Sequence, residues 1–163
     1  MALDRKHAAL SAYWLMKSEP DEVSIDNLVR ARRQTLPWTG VRNYQARNFM
    51  RDQMQPGDGV LFYHSCCAEP GVAGLAHIFG RAVPDTTQFD VDSAYFDPKS
   101  THDKPRWLQI DVKLERKTRL LGLPEMRSVP ELASMRVLQR GNRLSITPVS
   151  HDEWLAVLAR LDR

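Results

Sequence analysis

The sequence contains few of the features that mark disulfide-rich, zinc-binding or membrane-spanning proteins. Its 163 residues include two cysteines, Cys66 and Cys67, and these are adjacent. Adjacent cysteines supply neither a disulfide framework nor the spaced ligand pairs of a zinc knuckle. The chain has no run of about 20 apolar residues that would span a membrane, and residues 1–12 have no apolar run of signal-peptide length. We therefore expect a cytoplasmic protein with no metal site and no membrane contact.

Common catalytic motifs are also missing. The sequence has no phosphate-binding loop, no dinucleotide-binding glycine fingerprint, no zinc-protease motif and no nucleophile elbow. Nucleotide hydrolysis, nicotinamide redox chemistry and zinc proteolysis are therefore not indicated, and we expect no cofactor. A catalytic Cys–His dyad is a further candidate, because His64 lies close in sequence to Cys66 and Cys67. It is disfavoured because near neighbours at a strand end usually point apart, whereas a dyad needs direct hydrogen-bond contact.

The composition is that of one globular domain. Hydrophobic residues make up 42% of the chain and charged residues 26%, which excludes global disorder. We expect residues 1–12 to form a flexible tail and residues 13–163 to form the domain.

Basic residues are gathered in two parts of the sequence. The formal net charge is +3, which is compatible with a polyanionic partner. One cluster lies between Lys113 and Arg143, and a second extends from Arg30 to Arg51. Three arginines of the second cluster are candidates to contact a nucleic-acid backbone: Arg42, Arg47 and Arg51.

The hydrophobic pattern predicts about five strands with irregularly inserted helices. Strands are expected from Tyr13, over 59–65, 72–83 and 107–115, and near 144–146, with helices over 43–54 and after the capping box at Ser150. Residues 34–42 are expected to be irregular, and 84–106 to form a long loop of a functional or mobile kind. Without regular strand–helix alternation, the fold class is α+β, with a small, curved, mixed or antiparallel sheet and peripheral helices.

Three segments combine aromatic rings with hydrogen-bonding groups at strand ends or in loops. They are residues 14–19, 38–48 and 63–65. This composition is typical of a pocket for a flat, polar, uncharged ring such as a nucleobase, which stacks on aromatic faces while amides and hydroxyls bind its edge. Trp14 also fits a core position, and Asn43 also fits a helix N-cap.

The same segments resemble the EVE domain family. The matching motifs are YWLMKSEP at 13–20, WTGVRNYQARNFM at 38–50, GD at 57–58, FYHS at 62–65, YFDPKS at 95–100, Trp107 and RLS at 143–145. The resemblance extends in order over nearly the whole chain, which looks like a bacterial member of the family. It implies a PUA-like fold, a small curved β-barrel decorated by helices and related to YTH and ASCH domains.

The resemblance also implies a function and a site. EVE domains are thought to recognise modified bases in DNA or RNA, so we expect a non-catalytic module that holds a base such as a methylated or hydroxymethylated cytosine in an aromatic-lined pocket. The expected pocket residues are Trp14, Lys17, Ser18, Trp38, Thr39, Asn43, Ser65 and Tyr95. Trp14 and Tyr95 are alternative candidates for the second wall. Two other functions remain open: an enzyme acting on a modified nucleobase or small amide, and a protein-interaction module with a vestigial pocket.

Overall fold

A computed structural model describes residues 12–163, which form seven strands and four α-helices. The strands are β1 (Tyr13–Ser18), β2 (Thr35–Trp38), β3 (Gly59–His64), β4 (Gly71–Ile78), β5 (Val83–Pro84), β6 (Leu108–Gly122) and β7 (Ile146–Val149). The helices are α1 (Ile25–Arg30), α2 (Tyr44–Asp52), α3 (Leu123–Arg127) and α4 (His151–Leu161). Short 3₁₀ helices cover 32–34, 86–89, 130–132 and 136–138. No helix in this part of the chain is long and apolar enough to cross a membrane.

The strands form one mixed sheet, which confirms the predicted α+β class. Their order is β2-β6-β4-β3-β1-β7, with β5 paired to β6. Strands β1 and β3 are parallel, and the other pairs are antiparallel. The sheet is not closed, because β2 and β7 are edges that do not pair with each other. The resemblance implied a small curved barrel, and the structure shows that this barrel is open between β2 and β7.

Both faces of the sheet are covered. On one face Trp14, Met16 and Phe62 pack with residues of α1 and α2. On the other face Tyr13 and Leu15 pack with residues of α3 and α4. Burial of both faces explains why β1 and β3 have nearly continuous apolar sequences rather than alternating ones.

Several predicted boundaries were wrong, for identifiable reasons. Residues 35–38, expected to be irregular, form β2, because Pro37 is tolerated on an edge strand where no partner needs its missing N–H. Strand β6 continues to Gly122, past the end of its hydrophobic alternation, because its backbone stays paired with β4. Strand β4 ends at Ile78, just before Gly80, which has a φ of +105°. The last strand begins at Ile146 rather than 144.

The long segment after β5 is anchored to the domain. Gln88 is fully buried, and its amide nitrogen donates to the carbonyl oxygens of Asp85 and Trp107. Its amide oxygen accepts from the backbone N–H groups of Arg106 and Trp107. Buried polar atoms with satisfied hydrogen bonds fix a loop in one conformation. The expected tail at 1–12 lies outside the described residues except for Ala12, whose N–H donates to Asp58.

Candidate functional site

The two edges of the open sheet meet at one cavity of about 620 Å³. Edge strand β2 supplies Leu36, Pro37 and Trp38. The opposite side is formed by the end of β1 and by the residues just before β7, including Ser145. We call the gap between β2 and the residues just before β7 the seam. The cavity lies at this seam, and its volume is within the range of about 300–1,000 Å³ common for small-molecule sites.

The floor of the cavity is aromatic and apolar. Trp38 is 8% exposed and meets Phe62 edge to face, with ring centroids 5.3 Å apart. The indole N–H groups of Trp14 and Trp107 donate to carboxylates, whereas that of Trp38 has no partner among residues 12–163. The cavity therefore offers a ligand an aromatic wall together with an unused hydrogen-bond donor.

The turn after β1 supplies polar groups to the rim. The Ser18 hydroxyl donates to the carbonyl oxygen of Val23 at 2.7 Å, which fixes the turn. The Ser65 N–H donates to the Ser18 carbonyl oxygen, and this bond extends the β1–β3 pairing. Lys17 lines the cavity, and its ammonium group has no hydrogen bond or ion pair with residues 12–163. Burial lowers the pKa of the Lys17 ammonium, because desolvation disfavours its charged form.

A buried carboxylate positions the loop that follows Trp38. Asp85 has no exposed surface, and its Oδ2 accepts from the Gly40 N–H at 2.8 Å and from Arg42 Nη1 at 3.1 Å. Its Oδ1 accepts from the N–H and the hydroxyl of Thr87. Asp85 thus ties the loop after Trp38 to the segment after β5, which lies more than 40 residues away in sequence.

Tyr95 closes one side of the cavity and is held at three points. Its ring lies against Gly40, where a Cβ atom would come within 2.8 Å of the ring. Its carbonyl oxygen accepts from Arg42 Nε and Nη2 at 3.0 and 2.7 Å. Its hydroxyl donates to Glu22 Oε2 at 2.6 Å. This hydrogen bond to a carboxylate raises the pKa of Tyr95 to about 12, with burial and the Glu22 charge adding to it.

Six of the eight predicted pocket residues line the cavity: Lys17, Ser18, Trp38, Thr39, Ser65 and Tyr95. Two do not. Trp14 is 2% exposed, packs on Phe49 and donates its indole N–H to Asp58, so it is a core residue. Asn43 is the N-cap of α2, and its side chain accepts from the Ala46 N–H. Of the two candidates for the second wall, the structure places Tyr95 at the cavity.

The three arginines proposed to contact phosphate already have partners within the domain. The Arg42 guanidinium donates hydrogen bonds to the Asp85 carboxylate, the Thr87 hydroxyl and the carbonyl oxygens of Val41 and Tyr95. Arg42 is therefore a structural residue of the site. Arg47 donates to the Arg106 carbonyl and to Asn48 and lies 4.8 Å from the Tyr44 ring. Arg51 pairs with adjacent Asp52 and is exposed.

The sequence did not identify several residues of the site. Glu22 and Arg143 line the cavity, but a charged residue in a polar turn is usually solvated. Asp85 was missed because its partners lie far away in sequence. The motif match included Arg143 without assigning it a role, so the available signals were its position in a shared motif and in the basic cluster between Lys113 and Arg143.

His64 does not form the dyad considered from the sequence. Its Nε2 accepts the N–H of Ile25 at 3.1 Å, and it has no hydrogen bond to either cysteine. Burial lowers the pKa of His64, and Lys117 adds to this effect while Asp26 opposes it. The neutral imidazole therefore contributes to the start of α1, and the geometry gives no support to thiol catalysis.

The depressed pKa of His64 predicts a loss of stability in mild acid. Below its unfolded-state pKa of about 6.5, the unfolded chain binds a proton that the folded chain resists, so the free energy of unfolding falls with pH until the folded-state pKa is reached. We expect His64→Gln, which retains an acceptor but does not titrate, to show a smaller loss of stability between pH 7 and pH 5 in urea unfolding. Equal losses in the two proteins would contradict this role.

The structure is a PUA-like α+β domain with an aromatic-lined cavity at the seam of its sheet. The EVE domain family model matches residues 12–160. The chain belongs to the EVE domain family.

Relatives with solved structures share both sequence and fold. Human thymocyte nuclear protein 1 is 42% identical, over 92% of this chain and 74% of the human protein. A crystal structure of the human protein in complex with DNA containing 5-methylcytosine superposes with a TM-score of 0.87, at 42% identity, over 94% of this chain and 99% of that one. A Pseudomonas syringae crystal structure has a TM-score of 0.87 and 47% identity, over 91% of this chain and 99% of that one.

Proposed function

We propose that this protein is a non-catalytic nucleic-acid-binding domain that holds a single modified base, a methylated or hydroxymethylated cytosine, in the cavity at the sheet seam. The observation that carries the proposal is the cavity itself, with Trp38 and Phe62 at its floor and hydrogen-bonding groups on its rim. The complex of human thymocyte nuclear protein 1 with 5-methylcytosine DNA supports this ligand class, since that protein shares the fold at 42% identity.

The contacts available in the cavity offset much of the free energy needed to remove a base from its stack. Extruding a base from a duplex costs a few kcal/mol, and stacking on an aromatic side chain returns about 1–3 kcal/mol. The free indole N–H of Trp38 and the rim hydroxyls of Thr39 and Ser65 are suited to bind the polar edge of the ring. A methyl group placed against the apolar floor adds about 0.8 kcal/mol, or about fourfold in affinity.

We assign a phosphate contact to Arg143 in place of Arg42, because Arg42 already binds Asp85 and Tyr95. Arg143 lines the cavity, is exposed and has no partner among residues 12–163. A phosphate contact contributes about one unit to the slope of log affinity against log salt concentration. We expect Arg143→Ala to reduce that slope by about one and to weaken binding equally for all bases. Arg81→Ala, an exposed arginine outside the cavity lining, is the matched control. An unchanged slope for Arg143→Ala would exclude the contact.

Titration with short oligonucleotides tests the proposed function. Each oligonucleotide contains one central cytosine, 5-methylcytosine or 5-hydroxymethylcytosine, in single-stranded and duplex DNA and in RNA, and binding is followed by tryptophan fluorescence. We expect a preference of about fourfold or more for a modified cytosine. Equal, salt-sensitive affinity for all of them would indicate general nucleic-acid binding, and no binding at low salt would contradict the proposal.

A further inference from the structure

The cavity rim contains a carboxylate that is held in place but only half used. Glu22 lies in the turn between β1 and α1 and lines the cavity. Its Oε2 accepts from the Tyr95 hydroxyl at 2.6 Å. No residue in 12–163 donates to its Oε1. A carboxylate with one oxygen fixed and the other open is an oriented acceptor.

The residue that holds this carboxylate is itself fixed by several contacts. Tyr95 is itself fixed by Arg42, which binds its carbonyl oxygen, and by contact of its ring with Gly40. Arg42 is paired with buried Asp85. The position of the Glu22 oxygen is thus set by a chain of contacts that extends to the loop following Trp38. This chain holds the acceptor at a fixed position relative to the Trp38 ring.

We propose that Glu22 is a specificity-determining residue that selects bases with an exocyclic amino group. This inference rests on the proposed function and adds the ring chemistry to it. Cytosine has a 4-amino donor, whereas thymine and uracil have a carbonyl acceptor at the same position. A carboxylate accepts from the amino group and repels the carbonyl oxygen, so the site admits 5-methylcytosine and rejects thymine, although both have the same methyl group.

The deciding comparison uses 5-methylcytosine, cytosine or thymine as the single base of an oligonucleotide whose other positions are stable abasic residues, because adenine and guanine also have exocyclic amino groups. We expect the wild-type protein to bind 5-methylcytosine about tenfold more tightly than thymine, a typical scale for one base-edge contact. In Glu22→Gln the amide oxygen can still accept from Tyr95, which leaves the amide N–H₂ group facing the ligand. We expect this variant to bind the two methylated bases within about twofold or to prefer thymine.

Asp21→Asn is the matched control, since Asp21 is exposed in the same turn, does not line the cavity and makes no side-chain hydrogen bond with residues 12–163. It removes the same charge and should leave the preference unchanged. A wild-type preference for 5-methylcytosine over cytosine together with equal affinity for thymine would overturn the role of Glu22, as would an unchanged preference in Glu22→Gln. Failure of the wild-type protein to distinguish 5-methylcytosine from cytosine would instead overturn the proposed function.

Discussion

Replacing Asp85 by alanine is expected to lower the free energy of unfolding by about 3 kcal/mol, because breaking a buried ion pair leaves its partner's charge uncompensated. Asp85 is fully buried and is the acceptor for Gly40, Arg42 and Thr87. The figure is at the low end for buried pairs because the Arg42 side chain is 22% exposed and retains other partners. Urea unfolding followed by circular dichroism would show a lower midpoint with an unchanged slope.

The same substitution should weaken base discrimination at temperatures where the variant is still folded. Without Asp85, the Gly40 N–H loses its acceptor, and Arg42 holds the segment after β5 only through Thr87 and the Tyr95 carbonyl oxygen. Asp92→Ala is the control, since Asp92 is exposed in the same segment and its carboxylate has no partner among residues 12–163. A loss of less than about 1 kcal/mol in Asp85→Ala, within the range of ordinary hydrogen-bond deletions, would contradict the central role given to this residue.

Replacing Trp38 by leucine should weaken binding of the methylated oligonucleotide by about five- to 150-fold, which corresponds to the loss of about 1–3 kcal/mol of stacking. Leucine is preferred to alanine, because Trp38 packs on Phe62 in the core and a truncation to alanine would cost about 3–5 kcal/mol of stability. Fluorescence anisotropy of a labelled oligonucleotide is the appropriate measurement, since the substitution removes a tryptophan.

Trp154→Leu separates this effect from a general loss of an aromatic residue. Trp154 stacks on Tyr13, with ring centroids 4.5 Å apart, and packs with the core on the opposite face of the sheet. We expect this variant to bind the methylated and unmethylated oligonucleotides as the wild-type protein does. Equal losses of affinity in Trp38→Leu and Trp154→Leu would indicate that destabilisation, and not stacking, reduces binding.

Sequence patterns predicted the elements whose determinants are local. The helix that begins after Asn43 and the capping box at Ser150 were both confirmed within a few residues, since caps and hydrophobic periodicity act over one or two turns. The open seam of the sheet was not predicted. It depends on how a curved sheet brings β2 near the start of β7, and this is a property of the complete strand order.

Among the site residues, too, those with local sequence signals were predicted and those that depend on distant contacts were not. Trp38 was assigned because it lies in a polar loop and Ser65 because it ends a strand, and both lie in motifs shared with EVE domains. Glu22 and Asp85 were not, since their roles come from hydrogen bonds to residues more than 40 positions away. Trp14 was assigned to the site because an apolar strand with one tryptophan has the same composition whether the ring faces a cavity or the core.

Nuclear magnetic resonance of a carbon-13-labelled methyl group on a single 5-methylcytosine tests the central claim most directly. In the cavity the methyl group would lie beside the rings of Trp38 and Phe62, whose ring currents shift nearby methyl signals. We predict a large change in the methyl proton shift on binding to the wild-type protein and a much smaller one with Trp38→Leu. A methyl signal that stays at its free position while the oligonucleotide is fully bound would show that the base does not enter the cavity.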